Sequence, residues 1–254
     1  MQERRDFHTD RQLARPGGWW RRFSVKKPGL DWLTLVCLCM VVIHLIVESQ
    51  GGVVHQQVLY QEMLGLSGAG MDDGKAWQLV SYAFLHGSWF HLVTNVVMMW
   101  VVGGRLLSFL PSTKVFAAWL LGVVLGGIGF LGFDAWQAGG QFLVGASGGA
   151  FSLFIMLAML SPDARVYPLR LKARNLAVGM MAASLMLCLM HPSLKLPVAS
   201  SAGLWFAELG MASIFLVAHA CHFAGGMAGW AMARKTLGKQ VSLEQLQRER
   251  RLRE

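Results

Sequence analysis

The sequence predicts an all-α, polytopic membrane protein, and two features of its composition support this fold class. Of the 254 residues, 54% are hydrophobic and only 15% are charged, whereas a soluble domain carries about 25% charged residues. The apolar residues also cluster in runs close to the roughly 20 residues that a helix needs to cross a bilayer. We therefore expect one membrane domain with short polar tails.

Six apolar runs predict six transmembrane helices within residues 30–233. The expected helices cover residues 30–47, 92–110, 115–133, 143–160, 176–190 and 209–233. Residues 48–85 are too polar to span a bilayer and too apolar to lie free in water, which favours an interfacial loop. Residues 1–29 and 234–254 read as basic tails.

The basic residues predict the orientation of this bundle. The net charge of +9 would suit nucleic acid, but the charge lies beside the apolar runs, so we expect no nucleic-acid partner. All of the 23 lysines and arginines except Lys75 and Lys195 fall in tails or connections on one side of a six-helix arrangement. Cytoplasmic segments carry such an excess. Both termini are therefore expected in the cytoplasm, and a bacterial inner membrane is the simplest location.

The four cysteines indicate neither a metal site nor a disulfide framework. Cys37, Cys39, Cys188 and Cys221 all lie in apolar runs without metal-ligand spacing. They are interpreted as reduced, small hydrophobic residues. No metal or other cofactor is expected.

Ser147 is the only hydroxyl residue in the small-residue segment 143–151, where Gly145 and Gly148 lie close to it. Small neighbours let a substrate backbone or another helix approach a serine closely. The segment can therefore present a nucleophile, or it can be a packing face for membrane helices.

His91 and Asn95 are four residues apart, so they share one face of the second predicted helix. Both donate hydrogen bonds without carrying a full charge. That chemistry suits the stabilisation of an oxyanion in a site of low dielectric constant. The alternative is a pair of interhelical hydrogen bonds that tie this helix into the bundle.

His222, Gly225 and Gly229 share one face of the sixth predicted helix. Glycines at these offsets allow a second helix to approach the histidine, and the glycine-rich start of the fourth helix, with Ser147, is the natural partner. A structural hydrogen bond is the commoner role of a lone intramembrane histidine. His219, one turn earlier, is the competing base, but it lacks glycines at matching offsets.

Together these residues resemble the rhomboid family of intramembrane serine proteases. The resemblance covers about residues 77–234, and it rests on the order and spacing of the tryptophan segment 77–84, the histidine and asparagine pattern, and the serine and glycine motifs. The matching residues are His86, His91, Asn95, Gly145, Ser147, Gly148, His222, Gly225 and Gly229.

The resemblance implies a role for each residue. Ser147 would be the nucleophile and His222 its general base and acid. The backbone N–H of Ser147, with His91 and Asn95, would hold the oxyanion. His86 would be a structural residue of the first loop. No acid is available to orient the base, and none is required if packing holds the imidazole.

The chain departs from the family pattern at several positions. Gln78 stands where the family typically has arginine, and Leu107 where an acidic residue usually occurs. Phe151 replaces a typical tyrosine; it can stack under His222 but has no hydroxyl. The resemblance also implies that the fifth helix and the segment after it form a lateral gate, and that segment, residues 190–208, is long.

The sequence therefore predicts a serine endopeptidase that cuts in or near transmembrane segments, with transmembrane proteins as substrates and lipids as neighbours. The alternative is a catalytically silent rhomboid-like protein that binds membrane clients. Retention of both Ser147 and His222 argues against that alternative. A small transporter is disfavoured, because the sequence shows no internal repeat and its acidic residues Asp31, Glu48, Asp134 and Glu208 fall at the ends of the predicted helices or in loops.

Overall fold

The computed structural model describes residues 31–52, 57–137, 140–166, 170–216 and 218–238, and most of these are helical. Residues 1–30 and 239–254, which hold most of the two predicted tails, lie outside the described residues. The helices are α1 Trp32–Ser49, α2 Gly68–Asp72, α3 Gln78–Ser81, α4 Trp89–Leu107, α5 Ser112–Trp136, α6 Ser147–Leu160, α7 Ala173–Leu189, α8 Ala199–Phe206 and α9 His219–Leu237. Strands β1 Arg165–Val166 and β2 Leu171–Lys172 form an antiparallel hairpin before α7.

The long helices follow the predicted order, but they differ in their capacity to cross a membrane. Among the described residues, α1, α4 and α5 are long and apolar enough to span. Helices α6 and α7 are apolar but shorter, with 14 and 17 residues. The molecule is thus a helical membrane protein, and the count of six spans stays a prediction.

Helix α4 begins at Trp89, three residues before the predicted start, because Ser88 caps it. The Ser88 hydroxyl accepts a hydrogen bond from the backbone N–H of His91 at 3.2 Å. Serine is a favoured N-cap because its oxygen satisfies an N–H group that has no partner inside the helix. This earlier start places His91 in the first turn of α4.

Helix α6 begins at Ser147 and not at Leu143, where the apolar run begins. Leu143 instead pairs with Leu66, and the two backbones exchange hydrogen bonds of 2.8 and 3.1 Å. Gly145 then has a φ of +111°, a conformation that interrupts a helix and that residues with a Cβ rarely adopt. Ser147 is therefore the first residue of α6.

The predicted sixth helix, residues 209–233, was wrong at its beginning. A π-helical segment, Ala207–Met211, and a 3-10 segment, Ala212–Leu216, follow α8, and α9 begins only at His219. Gly210 interrupts the helical path with a φ of +81°. Consequently, His222 lies in the first turn of α9 and not in mid-helix. Within the long segment 190–208, residues Ala199–Phe206 form the helix α8.

The predicted interfacial loop, residues 48–85, is packed onto the helices over much of its described length. Leu66 and Tyr82 are fully buried in the main core. The Tyr82 hydroxyl donates a 2.7 Å hydrogen bond to the Val123 carbonyl of α5. The buried amide of Gln78 donates to the Glu62 carbonyl at 2.7 Å and so ties this segment to itself. Apolar burial and these hydrogen bonds explain why the segment folds against the bundle.

Glycines bring α5, α6 and α9 into backbone contact. A Cβ added to Gly225 would overlap the carbonyl oxygen of Gly148, and one added to Gly229 would overlap that of Ser152. A Cβ on Gly126 of α5 would lie 3.4 Å from the Cα of Gly148. Helices approach this closely only where side chains are absent. The sequence indicated the glycines of α6 and α9, but the contribution of α5 was not predicted.

Gly225→Val should lower the melting temperature of the purified protein strongly. Overpacking a tight core costs about 1–3 kcal/mol, and here the obstacle is backbone that cannot rotate away. Gly179→Val is the matched control, because a Cβ at Gly179 of α7 meets nothing within 4 Å. Equal melting temperatures for the two variants would contradict the assigned helix contact.

Candidate active site

The structure brings Ser147 and His222 into direct contact, although 75 residues separate them. The Ser147 hydroxyl and Nε2 of His222 lie 2.8 Å apart, which is hydrogen-bond distance. Both side chains are partly buried. The glycine contact between α6 and α9 fixes this geometry, because Gly148 directly follows Ser147 and Gly225 lies one turn after His222.

The imidazole of His222 is held in place by an aromatic ring. Phe151, one turn after Ser147 on α6, stacks on His222 with ring centroids 4.4 Å apart and an angle of 4° between the planes. A phenyl ring provides this support without a hydroxyl. The competing histidine, His219, points elsewhere, because its Nε2 lies 2.8 Å from the carbonyl oxygen of Ile214.

His91 lies against the backbone just before Ser147. A Cβ on Gly145 would lie 2.5 Å from both Cε1 and Nε2 of the His91 ring. Gly145 is fixed in turn by its N–H, which donates to the Tyr82 carbonyl at 2.9 Å. Glycine is required here for two reasons, its positive φ and the closeness of the imidazole.

Asn95 lies one turn after His91 and is only 5% exposed. Its side-chain nitrogen donates a 3.0 Å hydrogen bond to the backbone carbonyl of His91. One amide N–H is therefore used within α4, and the second N–H is available for another acceptor, since the Asn side chain has two.

The buried ring of His86 packs against the ring of His91. The two rings meet edge to face with centroids 5.0 Å apart, and His86 is 1% exposed. His44 of α1, equally buried, makes a similar but longer contact with His86 at 6.5 Å. Burial lowers the pKa of His86 to about 3, so this imidazole is neutral at physiological pH.

A cavity of about 550 Å³ opens onto these residues. Ser147, His222, His91 and Asn95 all line it, so the four side chains face one space. The cavity also receives side chains that sequence reasoning missed, from α5 and from the turn after α7: Phe133, Asp134, Gln137 and His191. No local motif marks them, because they reach the cavity only through the packing of separate helices.

This arrangement contains the parts needed for acyl transfer. A hydroxyl is hydrogen-bonded to an imidazole, an aromatic ring orients that imidazole, and two neutral donors line the same cavity. A nucleophile, a base within about 3 Å and an oriented base define this chemistry in general. The four polar residues expected from the sequence, Ser147, His222, His91 and Asn95, all lie around this cavity.

The fold and the site define a helical integral membrane protein with a serine–histidine pair at a cavity. The Rhomboid domain model matches residues 73–239, about two thirds of the chain, and the chain therefore belongs to the rhomboid family. No curated protein matches the chain.

Gly145→Ala should destabilise the protein more than Gly140→Ala. Both glycines have a positive φ, at +111° and +98°, so each alanine meets a similar backbone cost of about 1–2 kcal/mol. Only the alanine at 145 also meets the His91 ring, because nothing lies within 4 Å of a Cβ at 140. Melting temperatures of the two purified variants measure the difference, and equal values would mean that His91 does not lie against Gly145.

Proposed function

We propose that this protein is an intramembrane serine endopeptidase that hydrolyses peptide bonds in or near transmembrane segments of other membrane proteins. The observation that carries the proposal is the 2.8 Å contact between the Ser147 hydroxyl and Nε2 of His222 within a family of membrane proteins. A catalytically silent client-binding protein needs neither this contact nor the stacked Phe151 beneath it.

In the proposed reaction, the Ser147 hydroxyl attacks the carbonyl carbon of the scissile bond while its proton passes to Nε2 of neutral His222. The carbonyl oxygen becomes an oxyanion, which the Ser147 N–H, His91 and Asn95 stabilise by hydrogen bonds. Protonated His222 then donates that proton to the leaving amine, and the C–N bond breaks. A water molecule then attacks the acyl carbon while its proton passes to His222. The bond from that carbon to the Ser147 oxygen breaks, and His222 returns the proton to this oxygen.

The proposal includes the membrane arrangement expected from the sequence: six spans, both termini in the cytoplasm and a bacterial inner membrane. The distribution of lysine and arginine supports it. Reporter domains fused to either end, active on only one side of the membrane, test the orientation. Activity of a periplasmic reporter at either end would refute it.

Ser147→Ala and His222→Ala should each abolish cleavage of a model transmembrane substrate by the purified protein in detergent. Loss of either member of such a unit costs about 10⁶ in turnover, and the double variant should be no worse. His219→Ala is the control and should cleave, because that imidazole faces Ile214. A fluorophosphonate should label wild type at Ser147. If wild type neither labels nor cleaves, the silent alternative is correct.

Asn95→Ala should reduce turnover by about 10²–10³ with little change in substrate affinity, because an oxyanion donor acts mainly in the transition state. Asn95 donates to a carbonyl of its own helix, so only a small change in melting temperature is expected. His91→Ala should act alike, with a larger loss of stability because its ring packs on Gly145 and His86. Wild-type turnover in Asn95→Ala at a temperature where it is folded would make this residue structural.

Substrate is proposed to reach the cavity between α4 and α7. Helix α7 is weakly anchored, with three buried residues of 17, Ala173, Ala177 and Ser184. Met98 of α4 and Cys188 of α7 line the same cavity. A bifunctional maleimide joining Met98→Cys to Cys188 should block cleavage of a transmembrane substrate.

Two controls accompany this cross-link: a monofunctional maleimide on the same variant, and Met98→Cys with Cys188→Ser, which cannot be cross-linked. Both should cleave more than the cross-linked form. Unchanged cleavage after complete cross-linking would exclude this route.

A further inference from the structure

A second cavity lies away from the candidate active site, between α6, α7 and α9. Its volume is about 400 Å³ and its lining is apolar. We call it the α7–α9 groove. Its two main walls are formed by residues of α7 and α9: Val178, Met181, Leu185, Phe223, Met227 and Trp230. Several of these side chains are exposed, with Val178 at 62% and Met227 at 42%.

The contacts between helices show which ends of the groove walls lie together. Helix α9 runs parallel to α6, because Gly225 meets Gly148 and Gly229 meets Ser152. Helix α7 runs antiparallel to α6, because the start of α7 packs against the end of α6: Ala177 clusters with Ile155, and the Ala173 N–H donates to the Ala164 carbonyl at 2.7 Å. The start of α7 and the end of α9 therefore lie at the same end of the groove.

At that end of the groove, each of the two helices carries an arginine one turn beyond the residues that line the groove. Arg174 lies one turn before Val178 on α7, and Arg234 lies one turn after Trp230 on α9, so each shares the groove-facing side of its helix. Arg234 is held there by Trp230, with its guanidinium carbon 5.1 Å from the ring centroid. Both arginines are exposed.

Neither arginine forms a direct ion pair with a carboxylate in the part of the chain that the structure describes. The ion pairs there join other residues, and the nearby carboxylate of Asp163 is already paired with Lys172 at 2.8 Å. The hydrogen bond from Lys172 and its charge, and to a smaller extent the charge of Arg174, hold the pKa of Asp163 below its usual range. An apolar groove thus ends at two exposed arginines that form no direct ion pair among the described residues.

We propose that the α7–α9 groove binds an anionic phospholipid, with an acyl chain along the groove and the phosphate between Arg174 and Arg234. Lipid tails are as apolar as the groove, so the groove alone does not choose between lipids. The two arginines provide selectivity for anionic lipids, because a guanidinium forms bidentate hydrogen bonds with phosphate and each basic residue favours anionic lipid. These arginines lie on the side that the lysine and arginine distribution assigns to the cytoplasm, where anionic lipids are attractive partners.

The test is native mass spectrometry of the full-length protein in detergent, titrated with phosphatidylglycerol or with phosphatidylcholine of the same chains. Wild type should bind phosphatidylglycerol more tightly, and Arg174→Gln with Arg234→Gln should remove about 30-fold of that preference. Arg105→Gln is the matched control, because Arg105 also lies in the last turn of a helix and over an aromatic ring, that of Phe109. It should keep the preference.

A second pair of variants tests the groove itself. Val178→Trp fills the groove and should weaken binding of both lipids, whereas Met186→Trp, at an exposed position of α7 outside the groove, should not. A photo-cross-linker at position 178 in membranes should capture lipid.

Three results would overturn the proposal: equal binding of the two lipids by wild type, an unchanged preference in the double arginine variant, or capture of a partner protein at position 178. Because the readout is binding, its failure is distinct from failure of the proposed protease activity.

Discussion

The backbone contact between Gly148 and Gly225 is the constraint on which the candidate site depends. Ser147 precedes the first of these glycines, and His222 lies one turn before the second. The close packing of the two helices at the glycines therefore brings the Ser147 hydroxyl and the His222 imidazole together. Without a Cβ on either side, α6 and α9 can approach until backbone meets backbone. Gly126 of α5 packs on the same point and supports the pair from a third side.

The site is assembled at the beginnings of helices. Ser147 is the first residue of α6, and His91 and His222 lie in the first turns of α4 and α9. The first N–H groups of a helix have no partner inside it, and the helix dipole favours negative charge at this end. The backbone N–H of Ser147, the donor proposed for the oxyanion, is one of these first groups of α6. The Leu66–Leu143 bridge and the Gly145 turn make this possible, because they end the extended segment just before Ser147.

Helix α7 separates two different environments along its length. Leu187 and Cys188, near its end, line the cavity that holds Ser147, whereas Val178, Met181 and Leu185, spread over the preceding turns, line the apolar groove. A helix with open space beside both ends buries few of its own residues, which agrees with the three buried positions of α7. The adjoining helices α6 and α9, by contrast, bury a glycine or small residue at nearly every turn of their contact.

The sequence by itself determined the helical membrane class, the order of the long helices and four of the polar residues that line the cavity at Ser147. Apolar run length and the i, i+4 spacing of His91 and Asn95 are local properties, so they can be read without a fold. The starts of the helices were predicted less accurately. Hydropathy contains no information on the cap at Ser88, the positive φ of Gly145 or the break at Gly210. Because of these features, three helices begin at residues other than the predicted ones.

Only the tertiary structure decided which separate elements meet. The hydrogen bond from Tyr82 to Val123, the packing of Gly126 against Gly148 and the contact of His222 with Ser147 all join residues far apart in the chain. The two histidines of α9 are three residues apart, and the sequence distinguishes them only by the glycines that follow His222. They differ because one ring stacks on Phe151 of another helix, while the other is turned to the Ile214 carbonyl. Such contacts depend on how helices pack and not on local propensity, and that is why the sequence alone left them open.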